Sequence, residues 1–191
     1  MQGPARRARR IGWAALAALV SLAAGEAPPL IPTRDVDVTY TIAGAQGAGL
    51  TERLRWDAQG HRLRVDPPGN GIYMITDYTA HRMSVVREAD RSIIEAPAPA
   101  AALGGNPHAP YQRQGGGSVA GLDCTDWATV DTDLHPVVVC VTADGVLLRA
   151  RRGDRTVLTA SRVAYGPQDP ALFRLPAGYR RTPATRPSEA P

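Results

Sequence analysis

The 191-residue chain has no lysine; all 22 of its basic residues are arginine. Four of them (Arg6, Arg7, Arg9, Arg10) precede the first acid, Glu26. Beyond residue 25 the chain carries 18 arginines against 18 acids, so the net charge of +4 belongs to the N-terminal stretch. A nucleic-acid binder held by bulk positive charge is thereby excluded. Aromatic residues make up only 5 %, with a single Phe, which argues against a sugar-stacking surface. Ser84, Ser92, Ser118 and Ser161 lack a G-x-S-x-G context, and the four histidines (61, 81, 108, 135) show no H-x-H or H-E-x-x-H spacing. No nucleophile, base and orienting group can be assembled from the pattern, so the expectation is a non-enzyme with no metal and no cofactor. Asp131-x-Asp133 and Asp123-x-x-Asp126 have the composition of a weak Ca²⁺ site, but capping a turn is the commoner task of Asp in such places.

Long apolar runs are absent too. The longest, Ile11–Leu22, has 12 residues, whereas a bilayer-spanning helix takes roughly 20. Preceded by arginines, with Ser21 near its end and Ala23, Ala24 and Gly25 after it, it reads as a signal peptide over residues 1–25. Cleavage after Ala23, Gly25 or Ala27 fits equally; the alternative is a retained anchor, which Glu26 and the prolines up to Pro32 would end early. The working protein is expected to be exported, soluble and periplasmic, and not membrane-spanning after cleavage.

Cysteine is scarce and even: Cys124 and Cys140. Their midpoint is Thr132, inside the turn-like Asp131-Thr132-Asp133. A hairpin centred there places the two opposite each other, at a separation that suits a disulfide. A redox pair or half of a metal site are the alternatives, without C-x-x-C spacing to favour them.

What is present is period-two alternation. Val36, Val38, Tyr40 and Ile42 alternate with polar residues; Leu50–Trp56 and His61–Asp66 repeat the pattern around Asp57-Ala58-Gln59-Gly60. Further short apolar runs follow at Ile72–Thr76, His81–Arg87, Arg91–Glu95, Cys124–Val130, Val137–Ala143, Val146–Arg151 and Thr156–Tyr165, with Asp144-Gly145 as a type I′ turn signal. About ten strands joined by tight turns mean a mainly β protein, an antiparallel meander with little helix beyond the signal. One domain is expected over 26–181. Residues 96–117, rich in Pro and Gly, would be a long flexible loop or lid, with one or two helical turns at Ala98–Leu103, and 182–191 a disordered tail.

Two groups of residues invite a binding role. Val38, Tyr40, Leu54, Trp56, Leu63, Val65, Ile72 and Met74, with Val36 and Val138, point to one face and would line a ligand cavity or simply fill a core. With Trp56 facing His61, Arg55 opposes Arg62 and Arg53 opposes Arg64. Like charges placed opposite each other destabilise a strand pair. The offset is an anionic lipid headgroup, acids nearby (Asp37, Glu52, Asp57 or Asp66), or simple solvation.

Three stretches carry a family likeness: Ala120-Gly121-x-x-Cys124-x-x-Trp127, the hairpin from Val139 to Leu148, and Gly166-Pro167-Gln168-Asp169-Pro170-x-Leu172-Phe173-x-Leu175-Pro176-Ala177-Gly178-Tyr179. Together with Arg64-Val65-Asp66-Pro67 and Ile72–Tyr78, they resemble a bacterial family of exported proteins similar to the Lol-type (LolA/LolB-like) periplasmic lipoprotein carriers. The resemblance covers roughly residues 35–180. It implies a strongly curved, unclosed half-barrel whose concave face receives a hydrophobic or acyl ligand, a lipid or lipoprotein-like chain. The chain departs from the carriers in lacking an N-terminal amphipathic helix and their Arg-Pro pair. The expected function is non-enzymatic periplasmic binding of such a ligand; the alternative is an envelope protein–protein interaction module with a filled core.

Overall fold

The computed structural model describes residues 27–44, 49–69, 71–100 and 108–184. The signal segment, residues 101–103 of the expected helical turns and the end of the tail lie outside the described residues; residues 98–100 are not helical. Among the described residues, no helix is long and apolar enough to cross a membrane.

The described residues form twelve strands in one sheet: β1 (Val36–Ala43), β2 (Gly49–Asp57), β3 (Arg62–Asp66), β4 (Ile72–Asp77), β5 (Arg82–Arg87), β6 (Ser92–Pro97), β7 (Gln112–Val119), β8 (Leu122–Val130), β9 (Pro136–Val141), β10 (Leu147–Arg152), β11 (Arg155–Tyr165) and β12 (Arg180–Pro183). Their order is β12-β6-β5-β4-β3-β2-β1-β11-β10-β9-β8-β7. Two antiparallel meanders, β1–β6 and β7–β11, join where β1 pairs with β11. Only β12 runs parallel to its neighbour, β6. The sheet is curved and unclosed, as expected. Within the segment 96–117, residues 112–117 are strand rather than loop, and β12 takes in Thr182 and Pro183 from the expected tail.

The turns explain where the register departs from expectation. The β2–β3 connection is four residues long, Ala58 to His61, with Asp57 Oδ1 accepting from Gly60 N and His61 at φ 48°. The β4–β5 turn repeats this: Asp77 Oδ1 accepts from Ala80 N, and His81 has φ 52°. Trp56 therefore pairs with Leu63, not His61. Arg55 opposes Arg64, while Arg53 faces Asp66 and Arg62 faces Asp57. The β8–β9 register is also moved by two: Cys140 pairs with Asp126, so Cys124 lies diagonal to it. The disulfide forms regardless, with Cα atoms 5.4 Å apart. At the β9–β10 turn only Gly145 takes a positive φ, 91°, so the turn is not type I′.

Both faces of the sheet are apolar in places. One carries the larger core, including Val36, Val38, Tyr40, Leu54, Trp56 and Leu63 with Leu148 and Ala160. The opposite face carries Tyr73, Ile75, Val86 and Ile93. After β11 the chain crosses this outer face as a strap. Gly166 N donates to Asp35 O, a 3-10 turn over Pro170–Phe173 sits against β3, and Leu175 and Tyr179 cover the outer core before β12 docks on β6.

Candidate functional site

The inner face holds two adjoining cavities. The first, about 340 Å³, is walled by Tyr40, Glu52, Leu54, Leu63, Val65, Met74, Thr76, Tyr78, Met83 and Pro99, and reaches Leu147 and Leu158. In a flat sheet, β5 and β10 would be six strand spacings apart, about 29 Å at ~4.8 Å each. Met83 and Leu147 border one cavity only because the sheet curls. The second cavity, about 430 Å³, shares Leu147 and Leu158 and continues over Ile42, Val137, Val139, Val141 and Ala150, with Asp131 and Arg152 among its polar lining residues. Alternation places these side chains together: Ile42 pairs with Leu158, Leu158 with Ala150, and Ala150 with Val139.

Of the eight apolar candidates, Tyr40, Leu54, Leu63, Val65 and Met74 line the first cavity. Val38 and Trp56 are sealed in the core beneath it, and Ile72 is exposed at the start of β4. The sequence reading missed the second cavity. Its signal was the run Val137–Val141, but with apolar residues at every position the run does not say which side faces inward. Tyr40 anchors the floor by donating from its hydroxyl to Leu147 O at 2.7 Å; burial, aided by the charge of Glu52, pushes its pKa up. Tyr78 packs on Trp56 with ring centroids 5.8 Å apart, and its hydroxyl is buried without a hydrogen-bond partner among the described residues. Burial raises its pKa to about 12. Glu52 pairs across the strands with Tyr40, and burial alone pushes its carboxyl upward.

The arginines lie on the outer face, each with an acid. Arg53 donates to Asp37, Arg62 to Asp57, and Arg55 and Arg64 both to Asp66. Three of the four acids named from sequence therefore supply the offset; Glu52 points to the other face. Arg64 also donates to Leu172 O at 3.0 Å and stacks over Tyr73, its guanidinium carbon 3.9 Å from the ring centre, while Arg62 lies over Phe173. These two hold the strap. Side chains of Arg55 and Arg64 are only 11 % and 17 % exposed, which leaves little surface for a headgroup. Burial raises the Asp37 carboxyl, but the hydrogen bond from Arg53 and the charges of Arg53, Arg55 and Arg162 leave it below the usual range. A separate cavity of about 420 Å³ lies between the strap and β4–β5, with Phe173, Leu175, Arg82 and Arg181 in its walls.

Asp131, Asp133 and His135 bring possible metal-ligating atoms within 4.8 Å of one another. Asp131 already caps its turn: Oδ1 accepts from Asp133 N and His135 N, and Oδ2 pairs with Arg152.

No protein-family model and no curated protein matches this sequence. The fold does have solved counterparts. An uncharacterized conserved protein from Thermus thermophilus superposes with TM-score 0.59 at 11 % identity, over 80 % of this chain and 91 % of that one. MucB superposes with TM-score 0.51 at 13 % identity, over 78 % of this chain and 60 % of MucB. At such identities the likeness is one of fold.

Proposed function

We propose that this chain is an exported, periplasmic, non-enzymatic binding protein that takes a hydrophobic or acyl ligand on the inner face of its half-barrel. The observation that carries the reading is the pair of mainly apolar cavities meeting at Leu147 and Leu158. A chain entering there is removed from water at roughly 25 cal/mol per Å² of apolar surface. The Cys124–Cys140 disulfide suits an oxidising compartment. The test is uptake of a fluorescent fatty acid by the mature protein and by Leu158→Glu, which places a charge where the cavities join. Saturable uptake that falls at least tenfold in the variant, with thermal stability retained, supports the reading. Uptake equal in both proteins contradicts it.

A second reading, docking of an envelope protein, draws on β7. This strand lies at one edge of the sheet, and seven of its eight residues are exposed. An edge strand offers main-chain groups to an added strand. Crosslinking from a photoreactive residue at Gln114 to one reproducible envelope protein, with no lipid in the purified protein, would favour it.

A further inference from the structure

The first inner cavity is not uniformly apolar. Its wall includes a carboxylate, Glu52, half-buried beside Leu54 on β2. Among the described residues nothing donates a hydrogen bond to that carboxylate, and no arginine pairs with it. Its cross-strand partner Tyr40 has spent its hydroxyl proton on Leu147 O. Every other carboxylate that the sequence reading placed near β2 and β3 is engaged: Asp37, Asp57 and Asp66 each accept from an arginine.

A half-buried carboxylate with no protein donor takes its hydrogen bonds from water. A ligand that fills the cavity and displaces that water has to supply the donor itself. A protonated amine supplies both the opposite charge and up to three N–H donors. A carboxylate or phosphate in the same place would meet a like charge in an apolar surround, where repulsion is strongest. The rest of the cavity, and the compartment beyond Leu147 and Leu158, suits the apolar body of such a ligand.

We propose that the inner cavity selects an apolar ligand bearing an amino group, with Glu52 as its polar anchor. The inference rests on the inner face being a ligand site, and it names the chemical class that site prefers.

The test uses the mature protein loaded with N-phenyl-1-naphthylamine, a neutral dye, and displaces it with dodecylamine, dodecanoate or dodecanol below their aggregation limits. The wild-type protein should release dye at a dodecylamine concentration at least tenfold below that for dodecanoate. Glu52→Gln should remove that difference while dodecanol displaces equally in both proteins. Dodecanoate displacing as well as dodecylamine, or a preference that persists in Glu52→Gln, would overturn the inference and leave the ligand reading standing. Failure of the wild-type protein to take up dye or any of the three chains would overturn both. The amine-against-carboxylate comparison needs only the wild-type protein, so it holds even if a variant folds badly.

Discussion

Replacing Arg64 by Ala separates a structural clamp from a surface charge. In the folded protein its guanidinium does three things. It donates to Asp66, donates to the carbonyl of Leu172 at 3.0 Å, and covers the ring of Tyr73 at 3.9 Å. A hydrogen bond of this kind contributes about 1 kcal/mol net, and a partly desolvated cation–π contact about 1–2 kcal/mol. Asp66 keeps Arg55 at 2.6 Å, so no carboxylate is orphaned. Loss of Arg64 also relieves its repulsion with Arg55 directly opposite, which gives back up to about 1 kcal/mol. The net cost comes to about 2 kcal/mol, or roughly 4–8 °C in Tm for a domain of this size. The assay is a thermal melt followed by circular dichroism, paired with hydrogen exchange. Exchange should rise in the strap at 170–183 before it rises in β1 or β2, because Leu172 and Tyr73 lose their shared fastening. A Tm within 1 °C of wild type, with unchanged exchange in the strap, would refute the clamp assignment.

Other outcomes follow from the same geometry. Gly145→Ala should destabilise by at least about 1–2 kcal/mol, the cost of a left-handed conformation for a residue with a Cβ; the added carbon would also meet Ile31 O at 2.5 Å, and chemical denaturation reads the loss. Substituting both Cys124 and Cys140 by Ala should cost about 3 kcal/mol by releasing a 16-residue loop, measured against the intact protein under non-reducing conditions. Asp37, Asp57 and Asp144 have carboxyls held below the ordinary value of 3.8 despite burial, Asp57 and Asp144 by their hydrogen bonds and arginine partners. Their contribution is present above pH 3.8 and is lost as pH falls through the depressed values, so the thermal midpoint should drop steadily below about pH 4. Glu52 has the opposite sign. Its raised value favours folding below 4.5 and loses that advantage as pH rises, so Glu52→Gln should melt higher than wild type at pH 7 and equally near pH 3.

How far the sequence led can be judged strand by strand. β1 was legible because Val36, Val38 and Tyr40 alternate cleanly with residues that face water or arginines. β7 was not, since Gln112–Val119 holds three consecutive glycines and no apolar period; its pairing comes from main-chain hydrogen bonds to β8. Register escaped at two hairpins for one reason. Turn length is set by Asp side chains capping turns and by His61, which takes a left-handed conformation usually left to glycine. The inner face was half visible. Tyr40, Leu54, Leu63, Val65 and Met74 sit where alternation put them, while Val139, Leu147 and Leu158 join them only because the sheet curls. In the arginine cluster the shifted register leaves one opposed pair, Arg55 and Arg64, and Asp37, Asp57 and Asp66 partner the four side chains. That Arg62 and Arg64 also fasten the strap depends on Leu172 and Phe173, over a hundred residues away in the chain, a pairing that no local pattern encodes.

The central claim is that the curled inner face exists to hold an apolar molecule. Native mass spectrometry of the mature protein, purified from a periplasm without detergent and then extracted with organic solvent, tests it most directly. The account predicts extra mass that leaves with the solvent and is identified as an apolar chain, reduced or absent in Leu158→Glu. A bare polypeptide mass, together with no uptake of added fluorescent fatty acid or alkylamine, would contradict it.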